Sequence, residues 1–291
     1  MINRHFYTSK EYAESFSFQG YKSVELNDNG IWLLERPIPG TNYFDLMGCY
    51  PLTTFDRDDN FSYSGEAISM TMVSDIFSQP EISELSNQFD YVQFFKPHYY
   101  IDFSKEITFS DHHKYEIKRA LKKGCIVKRV ALSEVIEEWN SFYSNLISRH
   151  NITGIQTFHP KAFDAIKNSD KLVTFAVYHE DKPINLHICI IHNQYAYSHL
   201  NAASELSYKL GASYLVYDAF INYFKDNGYA AIDVGGGAGV NETSNGMTKF
   251  KQGFSNAEKD CYICGKVLNE NVYNQLSKDK VGAFFPLYRA K

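Results

Sequence analysis

Between residues 172 and 237 the order of apolar runs, turns and glycines leaves few folds open. Leu172 to Tyr178, Ile184 to Ile191 and Tyr195 to Leu200 read as three strands. Glu180-Asp181-Lys182 joins the first two and His192-Asn193-Gln194 the last two, so an antiparallel meander is expected. A helix follows from about Ser207 to Asn227, stopped by Gly228. The strand Ala231-Ile232-Asp233-Val234 then runs into Gly235-Gly236-Gly237. Antiparallel strands, a long helix and a strand ending in glycines make an α+β domain. Glycines at a strand end let a ligand or another backbone come close. Downstream, Lys249-Phe250-Lys251-Gln252-Gly253-Phe254 brings ammonium groups to that bared backbone. Such a setting suits an anion or a developing negative charge.

The first part of the chain is more broken. Ile31 to Glu35, Tyr43 to Met47 and Ile68 to Val73 read as strands, and Ser74 as the N-cap of a helix to about Phe89. Tyr91 to Phe95 and Tyr99 to Phe103 read as two strands split by Pro97. Ser110 precedes a basic helix, His112 to Lys123, stopped by Gly124. Its Lys118, Arg119, Lys122 and Lys123 suit either a solvated face that complements the helix dipole or a patch facing an anion. Cys125 to Val130 is a strand, Ser133 caps a helix to about His150, and Pro160 opens another to Asn168. Near the end come a strand, Cys261 to Leu268, and a short helix, Asn269 to Ser277. The expected division is 1–110 and 111–291.

Composition narrows the function classes. A formal net charge of -5 argues against broad nucleic-acid affinity, though not against a local basic patch. The aromatic share of 16% favours sheet-rich packing and aromatic-lined grooves. The N-terminus has no apolar core of signal-peptide length, and no run is long enough to cross a bilayer. Cys49, Cys125, Cys189, Cys261 and Cys264 are odd in number and scattered, which fits a cytoplasmic protein with free thiols. Cys261-x-x-Cys264 lacks two further ligands at matched spacing, and His187, His192 and His199 lack a placed carboxylate, so no metal site is expected. A Walker loop, a Gly-x-Ser-x-Gly elbow and a dinucleotide fingerprint are all missing.

Several segments together resemble a known family. Tyr208-Lys209-Leu210-Gly211-Ala212-Ser213, between a strand and a long helix, is similar to the pyrophosphate-binding Gln/Arg-x-x-Gly-x-Gly/Ala element of the GNAT superfamily of N-acetyltransferases. Gly235-Gly236-Gly237, Phe250-Lys251-Gln252-Gly253-Phe254 and Phe285-Pro286-Leu287-Tyr288-Arg289 resemble signatures of its Fem-type branch, the peptidoglycan-bridge aminoacyltransferases and their relatives. Tyr100-Ile101-Asp102-Phe103 and Tyr115 to Gly124 resemble that group as well. The resemblance implies an α+β fold of two GNAT-like units, the first reduced, with mixed, mostly antiparallel sheets flanked by helices.

It also implies direct transfer of an acyl group to an amine, without a covalent enzyme intermediate. Acyl-CoA would be the cosubstrate, its phosphates met by Lys209, Gly211, Ala212 and Ser213. The acceptor would be a small or lipid-linked amine, such as an amino sugar in cell-surface glycan synthesis. Gly235, Gly236, Gly237, Lys249 and Asn201 would bind substrate, and Lys251 would stabilise negative charge. His199 is the favoured proton-transfer residue, with Tyr197 and Asn201 expected on the same strand face by alternation. Asp233 is the alternative base or an orienting group. A second reading is aminoacyl transfer from aminoacyl-tRNA to a peptidoglycan precursor, and a third is a binding protein that has lost catalysis.

Overall fold

The computed structural model describes residues 4–237 and 246–290. The chain divides into two units, residues 1–95 with 260–291 and residues 96–259, where the sequence suggests a single boundary near residue 110. Along the chain come α1 (Lys10–Ser15), β1 (Lys22–Glu25), β2 (Trp32–Pro37), β3 (Phe44–Gly48), β4 (Ser69–Val73), α2 (Ile82–Gln88) and β5 (Tyr91–Asp102). Then follow α3 (Asp111–Lys122), β6 (Ile126–Val130), α4 (Ile136–His150), α5 (Pro160–Ile166), β7 (Leu172–His179), β8 (Lys182–His192) and β9 (Tyr195–Ala203). The last elements are α6 (Glu205–Leu210), α7 (Ala212–Asp226), β10 (Ala231–Gly235), α8 (Gly246–Gln252), β11 (Ala257–Val267) and α9 (Glu270–Ser277).

In the first unit the strands lie in the order β1-β2-β3-β4-β11. β11 returns from the far end of the sequence to pair antiparallel with β4, Ile263 opposite Val73. Leu33, Leu46, Met70, Met72 and Cys264 alternate inward from these strands onto Phe55, Phe61 and Phe89. Ser74 does not cap a helix. Its hydroxyl donates to Gln79 at 2.5 Å and accepts from the Tyr262 amide at 2.9 Å, and α2 starts later, behind Pro80.

The C-terminal Phe285-Pro286-Leu287-Tyr288-Arg289 segment closes on a buried carboxylate. Asp45, fully buried on β3, takes Arg36 at 2.8 Å, Arg289 at 2.6 Å and the Tyr288 hydroxyl at 2.8 Å. Burial, followed by the Asp45 charge, pushes the Tyr288 phenol far up. Asp45→Ala would leave two guanidinium groups without their counter-charge and is expected to cost about 3 kcal/mol in urea unfolding.

In the second unit the order is β5-β10-β9-β8-β7-β6. β7, β8 and β9 form the expected meander, and β6 pairs antiparallel with the outer edge of β7. Glu180 and Asp181 both have positive φ, as a two-residue primed turn requires. Ala212, Val216, Phe220 and Phe224 recur every fourth residue on α7, and this row is buried against Phe175, Val177, Cys189, Ala196 and Ile232 of the strands. β8 is buried over most of its length and β7 over its central four residues, where they read as nearly continuous apolar runs.

Three local readings change. The helix expected from Ser207 breaks at Gly211, whose φ of +71° ends α6 and starts α7. Pro97 does not split β5, because the pairing with β10 begins only at Tyr99 and the missing N–H costs that ladder nothing. Ser133 lies in a short 3-10 turn ahead of α4, which starts at Ile136.

Candidate active site

β9 and β10 run parallel and pair over three residues, from Tyr195 opposite Ala231 to Tyr197 opposite Asp233. Past Asp233 that ladder stops, while β9 continues beside β8 to Ala203. On its other edge β10 pairs with β5 and shifts register between Asp233 and Gly235. The strands therefore part where the glycines begin, and the peptide groups of β9 beyond Tyr197 no longer bond to β10.

Each glycine at this parting has its own reason. Gly235 has φ of +79°, and a Cβ there would stand 2.8 Å from the Lys251 Nζ. A Cβ on Gly236 would stand 2.7 Å from the Pro97 carbonyl oxygen and 3.2 Å from the His98 ring. Gly236 thus lets the turn press against β5, and Gly235 makes room for a cation.

Two lysines hold the turn. Lys251 Nζ donates to the Gly236 carbonyl at 2.7 Å, and Lys96 Nζ to the Gly237 carbonyl at 3.2 Å. Asp233, buried at the end of β10, accepts from the Gly235 amide at 2.6 Å through Oδ1 and meets His98 Nδ1 at 2.9 Å through Oδ2. Burial lowers the Lys251 pKa to about 8; Asp233 pulls it back up and Lys96 pushes it down. At neutral pH this ammonium is mostly charged yet poorly solvated, the condition in which it acts strongly on a nearby anion.

The sequence reading places both lysines of the Lys249-Phe250-Lys251 run at the glycines. The segment is helical, and residues two apart on a helix point about 200° from one another. Lys251 therefore reaches the turn and Lys249 stands exposed. Gly253, just past α8, is fixed by His113: a Cβ would stand 2.0 Å from that ring. His113 Nε2 donates to the Phe250 carbonyl at 2.8 Å, and Nδ1 lies 2.6 Å from the Ser110 hydroxyl. Burial lowers the His113 pKa. Phe250 and Phe254 pack on Tyr217, with ring centroids 4.8 and 5.2 Å away.

Next to this wall lies a buried polar chain. The Ser198 hydroxyl sits 3.4 Å from Tyr217 and 3.1 Å from His187 Nε2. Asn201 Nδ2 donates to His187 Nδ1 at 3.2 Å and to Asn185 Oδ1 at 2.8 Å. Asn185 Nδ2 donates in turn to the Ser207 and Ser213 hydroxyls, each at 3.1 Å. Because Nδ1 accepts, neutral His187 carries its proton on Nε2. Burial lowers its pKa to about 3, helped by the neighbouring His199 and Lys251.

His199 sits at a β-bulge, the register of β8 against β9 shifting between Ile188 opposite Leu200 and Cys189 opposite Ser198. The extra residue breaks the expected alternation. Asn201 lies opposite His187 and Tyr197 opposite Ile190, so Tyr197 and Asn201 are on opposite faces. His199 packs edge-on against Phe158, and burial lowers its pKa to about 3. An imidazole so hard to protonate is a weak proton acceptor.

The Tyr208 to Ser213 element forms the elbow between α6 and α7. Gly211 faces Glu116, whose Oε2 lies 2.6 Å from where a Cβ would stand. Arg119 bonds both Glu116 and the Lys209 carbonyl. Lys209 is exposed, Ala212 is buried, Ser213 turns inward to Asn185, and no side chain caps the start of α7. Lys96, His98 and Tyr217 went unnoticed in the sequence, where His187 was weighed only as a metal ligand. Only the two-residue spacing of Lys96 and His98 on one strand could have flagged a shared face.

Residues 110–251 match the family described as "Acetyltransferase (GNAT) domain". No curated protein matches the chain. Among solved structures, FemX is similar at 10% identity with a TM-score of 0.66, covering 94% of this chain and 95% of that one. The C-terminal domain of a putative lysylphosphatidylglycerol synthetase from Agrobacterium fabrum is similar at 11% identity with a TM-score of 0.61, covering 90% and 88%. L-PGS from Bacillus licheniformis is similar at 12% identity with a TM-score of 0.59, covering 92% and 94%. Among the described residues no helix is long and apolar enough to cross a membrane.

Two measurements check this geometry. Gly236→Ala is expected to cost about 1–3 kcal/mol, since the new methyl meets backbone rather than a side chain that can move. The histidines set a pH dependence. His187 and His199 have folded pKa values of about 3, below the unfolded value, so between roughly pH 6.5 and 3 the unfolded chain binds more protons. Stability is full above that window and falls through it with acid, by up to about 1.4 kcal/mol per pH unit for each histidine. Urea midpoints against pH would show the slope, and His187→Gln should remove about one proton's share.

Proposed function

The chain has a GNAT-type, Fem-like acyltransferase fold, and we propose that it is an enzyme moving an acyl group from acyl-CoA to an amine, such as that of an amino sugar in cell-surface glycan synthesis. The observation that carries this reading is the half-buried Lys251 ammonium on the Gly236 carbonyl, at the point where β9 and β10 part. A carbonyl held in that gap gains negative charge on its oxygen as the amine attacks. Lys251 stabilises the oxyanion there without having to be drawn from water. The uncapped start of α7, with Ala212 and Ser213 in its first turn, supplies amides for the donor's pyrophosphate, and Gly211 lets the chain turn into it. Lys209 is the exposed cation nearest that turn in sequence. Attack is direct, and the amine displaces the thiol in one transfer.

A second reading, aminoacyl transfer from aminoacyl-tRNA, draws support from the likeness to lysylphosphatidylglycerol synthetase, a protein named for making an aminoacylated lipid. Lys118, Lys122 and Lys123 stand exposed on and after α3, where they could meet phosphates.

Thiol release from acetyl-CoA in the presence of an amino-sugar panel tests the first reading. Saturating CoA should raise Tm, about 2.7 kcal/mol of stabilisation at a hundredfold excess over Kd. Ribonuclease-sensitive transfer from aminoacyl-tRNA, with no response to CoA, would favour the second. CoA binding without turnover would mark a protein that binds and does not catalyse. Lys251→Ala should lower kcat about 10²–10³-fold with the fold retained by circular dichroism. Full activity in that variant would remove Lys251 from the chemistry.

A further inference from the structure

His98 and Asp233 form a histidine–carboxylate pair that is nearly sealed from solvent, at 5% and 3% exposure, and they meet at 2.9 Å. Asp233 is committed twice, Oδ1 to the Gly235 amide and Oδ2 to His98 Nδ1. The carboxylate cannot turn away without breaking the glycine turn. It therefore fixes both the orientation and the tautomer of the ring, with the proton on Nδ1 and the lone pair on Nε2. Nε2 makes no hydrogen bond to a described residue. One residue further along the same turn, Lys251 holds the Gly236 carbonyl at 2.7 Å, while the His98 ring lies 3.2 Å from where a Gly236 Cβ would stand. A base and a cation thus flank one bare glycine.

We propose that His98 is the proton acceptor of the transfer reaction and that Asp233 is its positioning residue. The inference rests on the acyl-transfer reading above. As the neutral amine attacks, its nitrogen bonds to the carbonyl carbon and the π pair moves to oxygen, beside Lys251. The nitrogen, now positive, gives a proton to His98 Nε2. The tetrahedral centre then collapses: the carbonyl re-forms, the bond to sulfur breaks with its electron pair on the thiolate, and the imidazolium returns the proton to that sulfur. Amine and thioester become amide and thiol, with no other reactant. Asp233 remains a carboxylate throughout and stabilises the imidazolium. His199, the histidine favoured from sequence, is displaced from this role by its burial against Phe158.

Among the described residues, Asp233 of β10 bonds His98 directly, and Lys251 of α8 and Lys96 of β5 bond the adjacent glycine turn. Two measurements test the assignment. Nitrogen-15 NMR of histidine-labelled protein should show the Nδ1-protonated tautomer for one ring, lost in His98→Gln; an Nε2-protonated ring at this position would overturn the proposal without any substrate. With acetyl-CoA and an amino-sugar panel, His98→Ala should lower kcat about 10²–10⁴-fold, leave KM for acetyl-CoA near wild type, and abolish the rising limb of the pH–rate profile. Added imidazole should restore rate in proportion to its concentration, a rescue that a merely structural histidine would not give. Asp233→Asn should weaken kcat and distort the same limb. Active wild type with a fully active His98→Ala would sink the role of His98 and leave the acyl-transfer reading standing. Wild type that transfers from neither acetyl-CoA nor aminoacyl-tRNA would take both down.

Discussion

The site hangs on the close approach of the glycine turn to β5. Gly236 comes so near Pro97 that no side chain fits between them, and three charged groups from three elements bond this one turn. Lys251 arrives from α8, Lys96 from β5, and Asp233 from the end of β10. Each bonds the turn itself, so the cations and the carboxylate are placed by the backbone rather than by one another. Lys251 keeps its charge because Asp233 offsets part of what burial takes away. Without the turn, a half-buried ammonium would have no carbonyl to satisfy it, and burying it would cost several kcal/mol.

The polar chain from Tyr217 to Ser213 follows the same logic one layer deeper. A core this apolar accepts Asn185, Asn201 and His187 only because each meets a partner: Asn185 bonds three side chains, Asn201, Ser207 and Ser213, and His187 uses both ring nitrogens. The neutral imidazole is what the surroundings impose, since a proton added there would sit without a counter-charge and close to Lys251. The chain ties β8, β9 and the first turn of α7 together. It holds the elbow at Gly211 in a fixed relation to the strand that leaves β10, which a site spread over both requires.

Much of this was legible in the sequence, and what was missed shares a cause. The meander, the glycine-ended strand and the basic helix are local patterns, and they stand where periodicity and turn residues put them. The break at Gly211 was readable as glycine inside a helical stretch, but only a positive φ makes it a break rather than a tolerated cost. The bulge at His199 leaves no mark in the alternation of Tyr197, His199 and Asn201; it exists because β9 must satisfy β8 on one edge while parting from β10 on the other. The return of β11 to β4 and the pairing of His98 with Asp233 are long-range, separated by about 190 and 135 positions, and no window along the chain carries them.

The Phe250 to Phe254 motif shows why a short pattern can nonetheless be specific. Phe250 and Phe254 are four apart, so both rings reach the same wall, where Tyr217 and His113 pack on them. Lys251 then points away from that wall by one helical step, toward the turn. Gly253 must be bare because His113 fills the space of its Cβ, and the same histidine bonds the Phe250 carbonyl at the start of the motif. Each residue type answers a different neighbour, so a change at any one position disturbs a separate contact. The motif thereby fixes the lysine through packing on one side and backbone bonding on the other. An ammonium that is to meet charge appearing on a substrate must be held in place before that charge appears.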